Sequence, residues 1–157
     1  MTLKGARAVA DLADGLILAS VDISVPRERV FRALTTGAEV VKWWGSDETY
    51  RTTSYVADIR VGGQWCAEGC GADGKPYSVG GEFLEVDPPS KLVQTWKYDW
   101  GDGHETKLTY RLDVIEGGTQ VTVRHEGFRS QPEACQGHSE GWTMVLGWLA
   151  DHFKRER

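Results

Sequence analysis

His125 closes an alternating segment, Val121, Val123, His125, whose intervening residues Thr122 and Arg124 face the other way. A histidine with its ordinary pKa of ~6.5 can give or take a proton near neutrality, so His125 is the first candidate general acid or base. The alternative is a structural imidazole bonded to a backbone carbonyl near Gly127. Gln94 is the second polar candidate, because Leu92, Gln94, Trp96 and Tyr98 alternate onto one face of a strand. Arg60 could hold a ligand's acid group through its two-pronged guanidinium. Glu82 could supply a carboxylate. For both, the competing reading is a solvated strand residue.

The tryptophans outnumber what a small core usually needs. The chain of 157 residues holds seven Trp, five Tyr and four Phe. Trp65, Trp96, Tyr110, Trp142 and Trp148 fall on elements expected to face an interior. Trp43 and Trp44 are expected at its rim. Each Trp brings ~150–250 Å² of apolar surface and one N–H that needs an acceptor. Converging Trp side chains suit either a dense core or the aromatic wall of a small-molecule pocket.

Other chemistries find less support. Cys66 and Cys70 would stand about 13 Å apart on a strand at ~3.3 Å per residue, and no further ligand pair completes a zinc site. Three cysteines give no even disulfide framework, which points to reduced thiols and a cytoplasmic setting. The chain contains no Gly-x-Ser-x-Gly elbow, His-Glu-x-x-His pair, phosphate loop or dinucleotide fingerprint. A net charge of −5 argues against a phosphate-binding surface, so no nucleic-acid partner is expected. No apolar run nears the ~18 residues of a membrane span. No metal and no cofactor is expected.

These residues need elements to position them. Residues 1–14 read as a loose arm or short helix, and one domain follows over 15–157. From Leu16, Ile17, Ala19, Val21 and Ile23 alternate with Ser20 and Asp22, a half-buried strand. Pro26 opens a short helix carrying Val30, Phe31 and Leu34. Thr36-Gly-Ala-Glu39 has capping-box spacing and starts a second, ending at Trp43-Trp44-Gly45. A meander follows: Tyr55–Val61, a Gly62-Gly63 turn, Gln64–Glu68, an Asp73-Gly74 turn, Ser78–Val86, Leu92–Trp100, an Asp102-Gly103 turn, Thr106–Ile115, a Gly117-Gly118 turn and Thr119–His125. Trp142, Val145, Leu146, Leu149 and Phe153 then repeat at helical spacing, predicting a helix over His138–Phe153. Gly141 and Gly147 lie inside it, where each costs ~1 kcal/mol relative to Ala, and imply close approach of a backbone or a ligand.

This order of elements resembles the helix-grip fold of the START-like, or SRPBCC, superfamily. Pro26-x-x-x-Val30-Phe31-x-Ala33-Leu34-Thr35 and Trp43-Trp44-Gly45 resemble the first two helices of the family named after the activator of the heat-shock-protein-90 ATPase. Asp58-Ile-Arg60-Val-Gly62-Gly63, Gly81-x-Phe83-x-Glu85-x-x-Pro88-Pro89, His125-x-Gly127-Phe128 and Gly141-Trp142 continue the series in order. The resemblance covers about residues 16–153. It implies an α+β fold in which a curved antiparallel sheet wraps a long C-terminal helix, with two short helices after the first strand and a cavity between sheet and helix.

The expected function is binding of an apolar or aromatic small molecule in that cavity. Trp44, Trp65, Trp96, Tyr110 and Trp148 would form walls, and Arg60, Glu82, Gln94 and His125 the orienting polar contacts. The superfamily also implies two alternatives: a cyclase- or hydrolase-type enzyme with His125 as general base, and a chaperone-associated module. No chaperone partner is expected, since the chain lacks room for the extra N-terminal domain of the eukaryotic activator. The sequence leaves a homodimer open.

Overall fold

The computed structural model describes residues 2–101 and 103–156; Asp102 of the expected Asp102-Gly103 turn lies outside them. Eight antiparallel strands form one sheet: β1 Arg7–Asp11, β2 Leu16–Ile23, β3 Tyr50–Ala57, β4 Gln64–Gly71, β5 Pro76–Asp87, β6 Lys91–Tyr98, β7 Glu105–Ile115 and β8 Gly118–Glu126. Two short helices, α1 Arg27–Thr35 and α2 Gly37–Trp43, interrupt the strands, and α3 Pro132–Arg155 ends the chain. The strand order is β1-β2-β8-β7-β6-β5-β4-β3. Strands far apart in that order face each other across the concave side, which holds the core. This is the α+β helix-grip architecture that the motif order implies.

The alternating segments fold as their patterns dictate. Ile17, Ala19, Val21 and Ile23 are buried, as are Leu108, Tyr110 and Leu112 on β7. On α3, Trp142, Val145, Leu146, Leu149 and Phe153 form the buried stripe. The backbone of α3 approaches β2 and β1 closely. Its other side looks toward β3 through β6, where the cavity lies.

Several expectations change. Residues 7–11, read as part of an arm, are an edge strand paired with β2 from Arg7↔Ser20 to Asp11↔Leu16. Its Ala-rich sequence carries little strand propensity, so partner and turn define it. That turn ends at Gly15, with φ +65° and an ideal Cβ position only 2.0 Å from the Arg129 nitrogen. Asp22 is not solvated: its carboxylate accepts the Lys4 backbone N–H at 2.9 Å. The Thr36 capping box does not form, because Glu39 turns instead to Arg29 and His152. Trp43 is no rim residue; it is buried and donates to the Ala33 carbonyl at 3.0 Å. The C-terminal helix starts six residues early, with Pro132 in its first turn, where the missing N–H costs nothing.

The largest change is in β3, which runs Tyr50–Ala57 rather than Tyr55–Val61. A bulge between Thr52 and Ser54 shifts its register against β4. Without it, strict alternation would put Tyr50 and Tyr55 on opposite faces. With it, Tyr50, Thr52 and Tyr55 all reach the concave side, and Val56 points outward, 69% exposed.

A candidate ligand cavity

The space between α3 and the concave face of β3–β6 is a cavity of about 810 Å³. Its walls are mainly aromatic. Trp44, Trp65, Trp96 and Trp142 form a connected group: Trp44 and Trp96 ring centroids lie 6.4 Å apart, Trp65 and Trp96 5.5 Å, and Trp96 and Trp142 5.8 Å. Tyr50 and Tyr55 extend it from β3, and Tyr77 meets Tyr50 edge-on at 5.2 Å. Tyr77 fits only because residue 69 is glycine: a Cβ there would sit 2.4 Å from its hydroxyl. The mouth lies between the β4–β5 turn (Lys75), the loop after β6 (Trp100, 41% exposed) and the first turns of α3 (Glu133, Gly137).

Four of the five lining indole N–H groups are spoken for. Trp44 donates to the Tyr50 hydroxyl at 3.1 Å, Trp65 to the Thr95 carbonyl at 2.9 Å, Trp96 to His138 Nε2 at 3.3 Å and Trp142 to His125 Nδ1 at 3.0 Å. The rings therefore offer a ligand mostly apolar faces. His138, on the first half of α3, also bonds the Ala134 carbonyl through Nδ1 at 2.9 Å. Its Nε2 accepts from an indole that can only donate, so the proton is on Nδ1. Burial holds its pKa below the ordinary value, against the pull of that carbonyl.

Of the nine site residues expected from sequence, the structure brings three to the cavity wall: Trp44, Trp65 and Trp96. Tyr110 is buried against Trp142, with ring centroids 6.0 Å apart, and Trp148 packs edge-on against Tyr50 at 5.5 Å. Gln94 is buried on the concave side, and its Oε1 has no hydrogen-bond partner among the described residues. Arg60 and Glu82 are elsewhere. Arg60 lies exposed in the β3–β4 turn paired with Asp58 at 2.7 Å, and Glu82 is exposed on β5.

His125 does not reach the cavity either. It is fully buried; Nδ1 takes the Trp142 N–H, and Nε2 lies 2.7 Å from Thr106 Oγ1, which donates on to the Trp96 carbonyl at 3.1 Å. Both ring nitrogens are committed. Burial, with His138 nearby adding to it, keeps the ring neutral by pushing its pKa well below the ordinary range. A general base must reach a substrate proton, and this imidazole reaches only protein.

The residues that sequence reasoning missed are Tyr50, Thr52, Tyr55, Tyr77 and His138. The bulge hid the β3 residues. His138 had a signal: it precedes Trp142 by four and Val145 by seven, one helical stripe. Gly141 and Gly147 also differ from expectation, since a Cβ at either would meet nothing within 4 Å. Gly141 and Gly137 face the cavity and keep it wide rather than admit a neighbouring backbone. Away from it, Glu39, His152 and Glu156 gather three potential metal-ligand atoms within 4.8 Å, but the Arg29 guanidinium already bonds both carboxylates. Cys66 and Cys70 on β4 and buried Cys135 are free thiols. Among the described residues no helix is long and apolar enough to cross a membrane.

Comparison with known proteins agrees with the architecture. A protein of Mycobacterium smegmatis superposes with a TM-score of 0.78 at 19% identity, covering 96% of each chain. A protein of Rhodobacter sphaeroides gives 0.80 at 20% identity, covering 95% of this chain and 99% of that one. The AHSA1 protein of Silicibacter pomeroyi gives 0.77 at 25% identity, covering 90% and 99%. No curated protein matches. The family model described as activator of Hsp90 ATPase homolog 1-like protein matches residues 24–154, and the chain belongs to that family.

Proposed function

We propose that this chain binds a flat, apolar or aromatic small molecule between α3 and the concave face of β3–β6. The observation that carries the reading is the make-up of the walls. A cavity of about 810 Å³ falls in the ~300–1,000 Å³ range of small-molecule sites. Four of the five tryptophans that line it have their N–H groups already bonded inside the protein. Gly137 and Gly141 leave open space where any other helix residue would place a side chain. Filling that space with one side chain would have been sterically free, and the chain leaves it empty.

The test is titration with flat two- and three-ring compounds, followed by Trp fluorescence and calorimetry, on the native chain and on Gly141→Leu. The substituted side chain would project into the open space. Saturable quenching by the native chain, lost in a folded Gly141→Leu, supports the reading. No saturable response across the panel, or binding that Gly141→Leu leaves unchanged, overturns it.

A further inference from the structure

The cavity holds hydrogen-bond donors without partners among the described residues, and most of them are phenolic. The Tyr50 hydroxyl accepts from Trp44 and has its own hydrogen left over. Tyr55 lines the cavity and makes no hydrogen bond among the described residues. Thr52 and Tyr77 share one bond at 3.0 Å, so one of their two hydroxyl hydrogens is also spare. Apart from the same hydroxyl oxygens, acceptors are few: His138 Nε2 is taken by Trp96, Gln94 Oε1 is unpaired among the described residues but its residue does not line the cavity, and no lining carboxylate lies deep, Glu133 being exposed at the mouth.

Tyr50 and Tyr55 sit near Tyr110, which is buried behind the wall against Trp142. Burial pushes the Tyr110 hydroxyl well above its ordinary pKa, and Tyr55 and Tyr50 push it further. Tyr50 and Tyr55 are raised as well, chiefly by burial. All three remain neutral O–H donors through the physiological range. Among the lining residues the only cation is Lys75, which is exposed at the mouth. A carboxylate or phosphate placed deep would find donors but no opposite charge, and would lose its hydration.

We infer that the ligand is a neutral, flat, multi-ring molecule carrying a carbonyl-type oxygen, which enters oxygen-first and accepts hydrogen bonds from the Tyr50 and Tyr55 hydroxyls. This rests on the cavity reading and adds the ligand's polarity and direction. The oxygen faces the phenols of β3, and the rings lie against Trp44, Trp65 and Trp96. A hydrocarbon would leave the phenolic donors unpaired, and an aromatic acid would be rejected at the deep end.

Fluorenone and fluorene test it, since they share a ring system and differ in the carbonyl; a fluorene carboxylate completes the set. Affinities are measured by calorimetry on the native chain, on the double variant Tyr50→Phe/Tyr55→Phe and on Gly141→Leu, each checked for folding by thermal melt. The expected result is fluorenone binding about tenfold more tightly than fluorene, the worth of one good hydrogen bond in dry surroundings, and the carboxylate most weakly. That preference should fall to about twofold in the double variant. The infrared carbonyl stretch of bound fluorenone should be lowered on the native chain and recover in the variant. Equal binding of fluorenone and fluorene, both lost in Gly141→Leu, overturns the carbonyl inference and leaves the cavity reading standing. A preference unchanged by the double variant overturns the tyrosine assignment. Binding of neither probe overturns both.

Discussion

Trp142 on α3 donates its indole N–H to His125 Nδ1 on β8 at 3.0 Å, in a seam from which solvent is excluded. An indole nitrogen can only donate, so Nδ1 is the unprotonated nitrogen and Nε2 carries the hydrogen toward Thr106. One neutral imidazole thereby ties the helix to the sheet.

Protonating that ring requires breaking the seam, so stability should fall with acid. The folded pKa of His125 lies well below the 6.5 of an unperturbed imidazole, and that of His138 lies below it too. Below pH ~6.5 the unfolded chain binds protons that the folded chain refuses, so stability is full above that pH and declines beneath it. The slope should reach about 1.4 kcal/mol per pH unit for each proton involved. Denaturant melts at pH 8.0, 6.5 and 5.5 measure it; equal stability at all three would contradict the buried neutral assignment.

The same seam predicts coupling rather than catalysis. Replacing His125 with Leu leaves the Trp142 N–H without its acceptor, at about 1–3 kcal/mol for such a buried group. In Trp142→Phe that N–H is already gone. A double-mutant cycle of His125→Leu and Trp142→Phe should therefore give a coupling of about 1 kcal/mol or more. Strict additivity of the two losses would mean that the bond carries no stability.

Gly141 yields a variant with the opposite sign. A helical glycine costs about 0.5–1 kcal/mol relative to alanine, and the Cβ at Gly141 meets nothing within 4 Å. Gly141→Ala should therefore raise the melting temperature by roughly 1–4 °C. A lower melting temperature would mean that the helix needs the bare backbone there.

How much of this was legible in the sequence depended on regular alternation. Ile17 to Ile23 and Val121 to His125 showed their inward faces because nothing interrupts the two-residue period. The Thr52/Ser54 bulge breaks that period, so Tyr50 and Tyr55 looked like opposite faces and half of β3 was missed. Trp44, Trp65 and Trp96 were recognisable because a large aromatic on a concave strand or its rim has few other places to go. Arg60 and Glu82 failed as candidates because strand position alone does not distinguish an inward charge from a solvated one. His125 was correctly placed on the inward face, but its burial behind Trp96 and Trp142 is a tertiary fact.

The Arg60–Asp58 and Arg29–Glu39 pairs permit a direct contrast between an exposed and a part-buried ion pair. Arg60 and Asp58 are 70% and 54% exposed, where solvent screening leaves such a pair worth ~0–1 kcal/mol. Arg60→Ala should shift stability by less than about 0.5 kcal/mol and leave ligand affinity alone. Glu39 is only 13% exposed and joins three helices: it pairs with Arg29 of α1 and accepts from His152 of α3 at 2.7 Å, while Arg29 also lies 5.0 Å over the Phe153 ring. Burial alone would raise the Glu39 pKa, but the Arg29 and His152 hydrogen bonds and charges together outweigh it and hold it below 4.5. A depressed carboxylate pKa contributes stability above pH ~4.5 and loses it as the pH falls through the folded value. Glu39→Gln should accordingly cost about 1–3 kcal/mol at pH 7, and its deficit against the native chain should shrink below about pH 4. A deficit that stays constant down to about pH 3 would show that Glu39 acts by shape rather than by charge.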